Sequence, residues 1–161
     1  MMDIIIINSK DGFSPNYIKR LKNLGKVTFI ETQKYQGHHV FKNDEEKIIV
    51  VGPELVEWKF PNEFIEKIKN LKAVCVPTTS FSWIDGKFLR SKKIDFLNVP
   101  KYSTESVAEY AISLMLNLAK KLPLVMKNKW KIDYDKHKGW EVKGKTMGII
   151  GLGSIGTRIA E

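Results

Sequence analysis

The fold is decided by the stretch Gly144-Lys-Thr-Met-Gly-Ile-Ile-Gly-Leu-Gly-Ser-Ile-Gly-Thr-Arg-Ile-Ala-Glu161. Three of its glycines, Gly151, Gly153 and Gly156, have the spacing G-x-G-x-x-G. The run 146–150 before them is apolar and partly β-branched, which predicts a strand, and the residues after them predict a helix. A strand, a glycine turn and a helix in this order are the context of a dinucleotide-binding motif.

Each glycine has a mechanical role in such a turn. Gly151 allows the sharp bend, Gly153 lets the backbone approach a pyrophosphate, and Gly156 lets the helix pack closely on the strand. The unpaired amides of Ser154 and Ile155 would face the phosphates, with the positive end of the helix dipole behind them. The motif alone leaves a second interpretation open, a glycine-rich turn that joins a buried strand to a helix.

The rest of a nucleotide-binding fold does not follow the glycines in this sequence. A βαβ unit needs about 30 residues, and the acidic residue that binds the adenine ribose comes about 20 residues after the motif. Both would fall after Glu161. The sequence therefore predicts only the first strand, turn and helix of a Rossmann domain.

Length and composition predict a globular protein of the reducing cytoplasm. Of the 161 residues 43% are hydrophobic, which is enough for a packed core. No run of about 18 apolar residues could span a membrane, and the start of the chain lacks the charged region and length of a signal peptide. The single cysteine, Cys75, lies in an apolar run and has no disulfide partner.

The net charge of +9 raises the question of a nucleic-acid partner. The lysines are scattered over the whole chain, however, and no basic stretch interleaved with aromatic residues resembles a nucleic-acid module. We therefore interpret the charge as a lysine-rich solvated surface and regard nucleic acid as the less favoured partner. Such a surface would also attract small anionic substrates and cofactors.

Strand and helix patterns alternate through the first 100 residues. Apolar and β-branched runs predict five strands, over 4–7, 27–30, 47–52, 73–76 and 94–99. Helical patterns lie between them, over 15–24, 61–71 and 84–92. This alternation with short connections predicts an α/β domain with a parallel, doubly wound sheet. Ligands gather at the carboxyl ends of such strands, which indicates 77–80 as a site loop.

The adjacent histidines His38 and His39 raise the question of a metal site. We expect the side chains of two neighbouring residues to diverge, and no third ligand lies near them in the sequence. A structural or catalytic metal needs at least three protein ligands. The sequence therefore predicts no metal site.

A long helix is predicted over 104–122, ended by Pro123. Ser103 or Thr104 can begin this helix, and Ser106 and Glu109 have the spacing of a capping box near its start. The polar residues of the helix form one narrow stripe, made of Ser106, Glu109, Ser113, Asn117, Lys120 and Lys121. The rest of its circumference is apolar, so the helix must be covered on several sides. We expect burial between two domains, between two subunits or both, or else a central position in one globular core.

Three blocks together resemble the D-isomer-specific 2-hydroxyacid dehydrogenases, a family that includes D-lactate and phosphoglycerate dehydrogenases and glyoxylate reductases. The family's first substrate loop is similar to LKAVCVPTTSFSWID over 71–85, its interdomain helix start to NVPKYSTESVAEYA over 98–111, and its entry into the nucleotide domain to residues 139–160. The blocks have the family's order and spacing. The sequence departs from the family pattern at Ser80, where the family has glycine, and at Ser82, where aspartate is common.

The resemblance implies a two-domain protein of about twice this length. Residues 1–101 would form a flavodoxin-like substrate domain, and residues 102–143 an interdomain helix and a dimer arm. Residues 144–161 would be the incomplete start of an NAD-binding Rossmann domain. The helix over 104–122 would also contribute to a twofold homodimer, which would cover its broad apolar surface.

The resemblance also assigns site residues. Backbone amides near Thr79 and Ser80 would hold the carboxylate of a small 2-keto or 2-hydroxy acid, and Tyr102 would border the nicotinamide side of the cleft. Ser154, Ile155 and the three motif glycines would bind the cofactor pyrophosphate. The implied cofactor is NAD, with NADP not excluded.

The family's chemistry moves a hydride between carbon 2 of the acid and the nicotinamide ring. The imidazole, carboxylate and arginine that assist this step lie after the glycine motif in the family, and no residue of this chain corresponds to them. His38, His39 and His137 do not occupy the matching positions, so no catalytic residue is assigned. The isolated chain is expected to be inactive. The alternative is a non-catalytic, corepressor-like relative or a truncated dimerisation and binding module.

Overall fold

The predicted strands assemble into one parallel sheet in a computed structural model that describes all 161 residues. The strands are β1 (Asp3–Ile7), β2 (Lys26–Ile30), β3 (Lys47–Val51), β4 (Leu71–Cys75) and β5 (Asp95–Leu97). Their order in the sheet is β2-β1-β3-β4-β5, and every neighbouring pair is parallel. This is the strand order of flavodoxin-like doubly wound folds, so the predicted α/β class is confirmed.

The burial of each strand follows from its apolar pattern. Strand β1 pairs with β2 on one side and β3 on the other, and all five of its residues are buried. A strand covered on both faces needs apolar residues at successive positions, which the isoleucine run of β1 supplies. Strand β5 pairs only with β4 and is exposed at Asp95 and Leu97, as expected for the edge of the sheet.

The chain divides into two compact units, Met1–Pro100 and Lys101–Glu161. The helices of the first unit are α1 (Pro15–Lys22), α2 (Asn62–Ile65) and α3 (Gly86–Ser91). Asp85 caps α3 through hydrogen bonds from the Phe88 and Lys87 amides, at 2.9 and 3.0 Å. The Phe88 bond, followed by one from Asn62, lowers the pKa of Asp85. A polar residue thus lies at the N-cap of α3, as expected for the start of a helix.

Helix α2 is shorter than predicted. The pattern over 61–71 predicted one helix, but the helix ends at Ile65, and Asn70 adopts a left-handed backbone with φ of 53°. Leu71 is the first residue of β4, where it pairs with Lys47. The apolar spacing of this segment is compatible with both structures, and pairing with β3 decides the outcome.

One hydrophobic core lies in the first unit, between the sheet and its helices. Its members come from strands β1 to β4, from α2 and α3, and from the loops between them: Ile5, Ile7, Ile30, Tyr35, Val40, Phe41, Ile49, Val51, Val56, Phe60, Phe64, Ile65, Ile68, Leu71, Val74, Val76, Ile84 and Leu89. Four aromatic rings pack edge-to-face or stacked within it, namely Tyr35, Phe41, Phe60 and Phe64. This core holds the carboxyl edge of the sheet in place.

Lys47, the first residue of β3, is fully buried at the opposite, amino edge of the sheet. Its ammonium group donates to three backbone carbonyls, those of Asn43 and Glu45 at 2.7 Å and that of Lys69 at 3.0 Å. Burial lowers the pKa of Lys47, and the nearby Asp3 acts in the opposite direction. All three donors of the ammonium group are satisfied, which a buried charge requires.

The second unit is helical. Its helices are α4 (Thr104–Ala119), α5 (Leu122–Lys127), α6 (Tyr134–His137) and α7 (Ser154–Ala160). The predicted helix over 104–122 is interrupted, because α4 ends at Ala119 and Lys121 adopts a left-handed backbone with φ of 54°. Pro123 lies in the first turn of α5, where its missing N–H costs nothing. No helix combines the length and the apolar character needed to cross a membrane.

The start of α4 differs from the predicted capping box. Ser103 is the N-cap residue, and its carbonyl accepts the first helical bond from the Val107 amide at 2.9 Å. Its side chain makes no capping bond. Ser106 already lies within the first turn, so the Ser106–Glu109 pair does not cap the helix.

The strand predicted over 146–150 is not formed. No residue from 101 to 161 belongs to a strand, and Ile150 is fully exposed. A strand requires a neighbour to complete its hydrogen bonds, and this unit supplies no second extended segment for it. The prediction was wrong for the strand, although the glycine turn and the helix α7 that follow it are present.

Candidate functional site

The loop 77–80 lies at the carboxyl end of β4, as predicted, and both Thr79 and Ser80 are exposed there. Strand β5 pairs with β4, and the Val76 amide donates to the Leu97 carbonyl at 2.8 Å. The residues that follow β5 therefore lie beside the loop.

Two residues after β5 bind the first half of the loop. The Val99 amide donates to the Thr78 carbonyl at 3.2 Å, and the Asn98 side-chain amide donates to the Thr79 carbonyl at 3.0 Å. In return, the Thr79 hydroxyl donates to the Val99 carbonyl at 3.0 Å. The Thr79 side chain is thus engaged in holding the loop, and its hydroxyl is not free to bind a ligand as a donor.

The Ser80 carbonyl accepts two hydrogen bonds. The Thr78 hydroxyl donates to it at 2.7 Å, and the indole N–H of Trp83 donates to it at 3.3 Å. The backbone of Ser80 is not in the left-handed region. The residue that departs from the family's glycine is therefore accommodated without backbone strain.

The amides of the same loop have no partner. None of the backbone N–H groups of residues 78–83 donates to a protein acceptor. The carbonyls of Thr78, Thr79 and Ser80 all accept hydrogen bonds, so the unsatisfied backbone groups of residues 78–80 are donors. Successive free backbone amides form a concavity suited to an anion, and the exposed position leaves them accessible to one.

A groove of the first unit, with a volume of about 1290 Å³, lies beside α3 and contains neither Thr79 nor Ser80. Its walls carry the basic residues Lys59, Lys87, Arg90 and Lys93 together with Glu63, Asp85 and Asp95. The basic and acidic side chains are of similar number, so the groove has no strong preference for one sign of charge. The free amides of residues 78–83 are therefore a more specific candidate site for an anion than this groove.

The three glycines of the motif differ in whether the backbone angle or the surrounding atoms require glycine. Gly151 has a φ of +96°, which favours glycine. Gly156 is buried, and a Cβ atom there would overlap the Gly151 carbonyl oxygen. A Cβ on Gly153 would meet no atom within 4 Å, so only a ligand approaching its backbone would require glycine at that position.

Helix α7 begins directly after Gly153. Its first helical bond runs from the Thr157 amide to the Gly153 carbonyl at 2.9 Å, which leaves the amides of Ser154, Ile155 and Gly156 without a partner in the helix. A concavity of about 390 Å³ is lined by these residues and by neighbours that include Gly151. The predicted cofactor-binding residues of the motif therefore lie together around one small hollow.

Helix α7 is held against α4 within the second unit. The guanidinium Nε of Arg158 donates to a carboxylate oxygen of Glu105 at 2.8 Å, and its Nη1 donates to Glu161 at 3.0 Å. The hydrogen bond that Arg158 donates to Glu105 is the main cause that raises the pKa of Arg158, and the bond it donates to Glu161 is the second. Tyr102, the other predicted cofactor residue, is exposed in the turn before α4.

The histidines take part in local structure. The rings of His38 and His39 stack with centroids 4.5 Å apart, so the expectation that they diverge was wrong. Nδ1 of His38 accepts from the Val40 amide at 3.3 Å, and Nδ1 of His137 accepts from the Asp133 amide at 2.8 Å. No group of three or more potential metal ligands occurs in the structure.

Sequence reasoning missed Asn98 and Trp83, two side chains outside the loop 77–80 that donate to its carbonyls. Asn98 lies near the carboxyl end of the strand predicted over 94–99, so its position at the carboxyl edge of a parallel sheet was available from the sequence. Trp83 lies three residues after Ser80 within the quoted substrate-loop block, but the direction of its indole N–H has no signal in the sequence.

The sequence matches the family model described as D-isomer specific 2-hydroxyacid dehydrogenase, catalytic domain, over residues 4–150. A protein of Staphylococcus saprophyticus that carries the name 2-hydroxyacid dehydrogenase is 33% identical over 147 residues, which cover 86% of this chain and 46% of that protein. The match thus includes both the sheet and the segment that leads into the glycine motif.

Two solved structures resemble the whole chain. The D-lactate dehydrogenase of Aquifex aeolicus, complexed with NAD and lactic acid, is 26% identical with a TM-score of 0.79, covering 98% of this chain and 46% of its own. An acyclic imino acid reductase in complex with NADPH and D-Arg is also 26% identical, with a TM-score of 0.77 and coverage of 99% and 52%. The chain spans about half the length of these proteins. With the matching family model, parallel sheet and motif, the chain belongs to the D-isomer specific 2-hydroxyacid dehydrogenase family.

Proposed function

We propose that this chain is the N-terminal portion of an NAD-dependent oxidoreductase that transfers a hydride between nicotinamide and a small 2-hydroxy or 2-keto acid. Residues 1–101 would form its substrate domain, residues 102–143 its interdomain helix and dimer arm, and residues 144–161 the start of its cofactor domain. Family membership and the half-length coverage of the relatives support this proposal.

The observation that carries the proposal is the run of free backbone amides in the loop at the carboxyl edge of the sheet. Free amides near Thr79 and Ser80 offer several hydrogen bonds to one carboxylate, and charge-assisted bonds of this kind are stronger than neutral ones. The net charge of +9 would add a general attraction for anions. We therefore assign the substrate carboxylate to this loop.

The cofactor would bind at the glycine motif of the second unit. The free amides of Ser154 and Ile155, at the hollow bordered by Gly151, Gly153 and Gly156, fit a pyrophosphate group. Tyr102 would border the nicotinamide ring, which donates or accepts the hydride when the cofactor is bound. The solved relatives hold NAD in one case and NADPH in the other, so we propose NAD and do not exclude NADP.

The carboxylate site is tested with pyruvate as the probe. In a titration of the ¹⁵N-labelled chain, the amide signals of residues 79–81 should shift together and saturate, because these groups are accessible and unpaired. Lactamide, which resembles lactate but lacks the carboxylate, is the matched control and should leave them unmoved. Shifts scattered over the lysine-rich surface, with none at 79–81, would contradict the assignment.

The isolated chain is expected to be inactive. None of its three histidines lies in the site loop or in the glycine motif, and no catalytic acid or base is assigned. Purified 1–161, incubated with NADH and glyoxylate, pyruvate or hydroxypyruvate, should show no oxidation of NADH at 340 nm. Turnover would contradict this expectation.

Binding of the cofactor alone is a separate test. With only one helix and one turn of the motif to hold the nucleotide, we expect a Kd for NADH above about 1 mM. Fluorescence titration or calorimetry measures this value directly. Micromolar affinity would mean that residues outside the motif complete the site.

Homodimerisation, or a binding role without catalysis, is the second candidate. It is favoured by the apolar side chains that α4 leaves exposed, which are Val107, Tyr110, Leu114, Leu116 and Leu118. A face of this kind is usually covered, and a second copy of the chain would cover it. Light scattering should give the mass of a dimer, and a stable monomer would contradict this candidate.

We also place the protein in the cytoplasm. Cys75, the single cysteine, is half-buried at the end of β4, and burial raises the pKa of its thiol. A protonated, lone thiol neither forms an internal disulfide nor needs an oxidising compartment. Fractionation of the source cells with an antibody against the chain would test the location.

A further inference from the structure

We propose that Asn98 and Trp83 are positioning residues that fix the direction of the free amides in the 78–81 loop. The inference rests on the proposed function, because it deals with the loop to which we assign the substrate carboxylate. It goes beyond that proposal by naming the side chains that keep the loop in a binding-competent form.

The planar peptide bond couples the direction of each carbonyl to that of the next N–H. In a planar trans peptide, the carbonyl of one residue and the N–H of the next point in opposite directions. A hydrogen bond that holds the Thr79 carbonyl toward the protein therefore turns the Ser80 N–H away from it. The same relation couples the Ser80 carbonyl to the Phe81 N–H, and the Thr78 carbonyl to the Thr79 N–H.

The three carbonyls are held by donors of different kinds. The Thr78 carbonyl is bound by the backbone amide of Val99, which exists whatever side chain stands at that position. The carbonyls of Thr79 and Ser80 depend on side chains, those of Asn98 and of Trp83 together with the Thr78 hydroxyl. Two of the three outward amides thus depend on residues that substitution can remove.

Asn98 is itself fixed by the sheet. It follows β5 directly, and the preceding residue, Leu97, accepts a bond from Val76 at the end of β4. Its side chain is half-buried. The carboxamide therefore reaches the loop from a rigid strand end, which limits the positions that the Thr79 carbonyl adopts.

Trp83 is held by packing. Its half-buried ring lies against the core cluster and makes an edge-to-face contact with Trp58, with centroids 6.2 Å apart. Its own carbonyl accepts from the Phe60 amide at 3.4 Å. An indole N–H fixed in this way has one direction, whereas the Thr78 hydroxyl that shares the Ser80 carbonyl rotates. Trp83 is therefore the more restrictive of the two donors.

The variants Trp83→Phe and Asn98→Ala remove one donor each. Trp130→Phe is the matched control for the first, since it removes an exposed indole of the second unit that makes no hydrogen bond to the loop. Asn128→Ala is the control for the second, because Asn128 also donates to a backbone carbonyl, that of Lys131 at 2.6 Å, but in the second unit. Thermal unfolding of all four variants reports any general loss of stability.

Two readouts follow the loop itself. The ¹⁵N heteronuclear NOE of residues 79–81 should fall in Trp83→Phe and Asn98→Ala and stay at the wild-type value in both controls. The pyruvate affinity measured from the same amide signals should weaken by about fivefold in each test variant, the effect of one lost hydrogen bond. A purely structural role would lower the unfolding temperature without these local changes.

The outcomes separate the two proposals. Wild-type amides at 79–81 that remain ordered but do not respond to pyruvate would overturn the carboxylate site and leave the positioning role to be judged on amide order. Unchanged amide order in both test variants would overturn the positioning role, whether or not pyruvate binds. Lost order with unchanged pyruvate affinity would also overturn it, because the fixed amides would then make no difference to the ligand.

Discussion

The two units of this chain differ in how far they bury their apolar residues. In Met1–Pro100, strands and helices enclose a continuous core, and seven large apolar side chains are exposed. In Lys101–Glu161, which is smaller, seventeen are exposed, and only Ala108, Ala119 and Val125 are buried apolar residues. Apolar composition alone therefore does not make a core, because elements must also be available to cover each other.

The availability of pairing partners explains why only the first unit contains a sheet. Its five extended segments find partners within 100 residues, and parallel pairing satisfies their backbone groups. Residues 146–150 are also largely apolar, but the second unit contains no strand with which they could pair. We expect the first unit to dominate the stability of the chain and the second to respond mainly to what covers it.

The largest effect on stability is expected in the core of the first unit. Leu89 of α3 is fully buried, whereas Leu118 of α4 is 68% exposed. Leu89→Ala should lower the free energy of unfolding by about 2–5 kcal/mol, the usual cost of a cavity in a core. Leu118→Ala should change it by no more than about 0.5 kcal/mol. Urea denaturation followed by circular dichroism measures both, and equal losses would mean that α4 is covered in solution.

A smaller effect is expected at the glycine turn. Gly156→Ala places a methyl group against the Gly151 carbonyl, and overpacking of this kind costs about 1–3 kcal/mol. Hydrogen exchange should show lost protection of the α7 amides. Gly153→Ala is the control, because its Cβ meets no neighbouring atom. If both variants lost protection equally, steric contact at residue 156 would not be the cause.

The exposed face of α4 provides the next prediction. Leu118→Lys should weaken self-association of the chain by about tenfold, or about 1.4 kcal/mol, because it places a charge on an apolar contact. Analytical ultracentrifugation over a concentration series measures the change. Leu24→Lys is the control, since Leu24 is equally exposed but lies in the first unit. A dimer unaffected by Leu118→Lys would place the interface elsewhere.

The smallest effect is a pH dependence in the first unit. Burial is the main cause that lowers the pKa of His38, and the charge of His39 is the second. Nδ1 of His38 accepts a hydrogen bond from the Val40 amide. The folded state therefore binds fewer protons than the unfolded state, in which the pKa is about 6.5. The neutral His38 therefore makes its full contribution to the stability of the fold above about pH 6.5. That contribution is lost as the pH falls from there through the lowered pKa of the folded state.

His38→Asn tests this dependence, because asparagine keeps an acceptor for the Val40 amide and does not titrate. Between about pH 7.5 and 5, the urea midpoint of the wild type should fall more than that of the variant. Parallel curves for the two proteins would show that His38 does not couple to folding.

Much of the first unit was predictable because its signals are local. Runs of β-branched residues gave the strands, and Ser14 and Asp85 stand as capping residues where α1 and α3 begin. The loop 77–80 was placed by its position after a strand. The predictions that failed depended on neighbouring segments. The helix predicted over 61–71 ends early because Leu71 pairs with β3 as part of β4, and the segment 146–150 has no strand to pair with.

The order of residues was sufficient to predict the class of fold and the glycine motif, because periodicity and spacing act over a few residues at a time, and resemblance of three blocks indicated the family. The hydrogen bonds of Asn98 and Trp83 to the site loop, the stack of His38 on His39, and the break between α4 and α5 appeared only in three dimensions. Each depends on the direction of a side chain or on a backbone angle. Those are set by packing between segments, for which a linear pattern carries no signal.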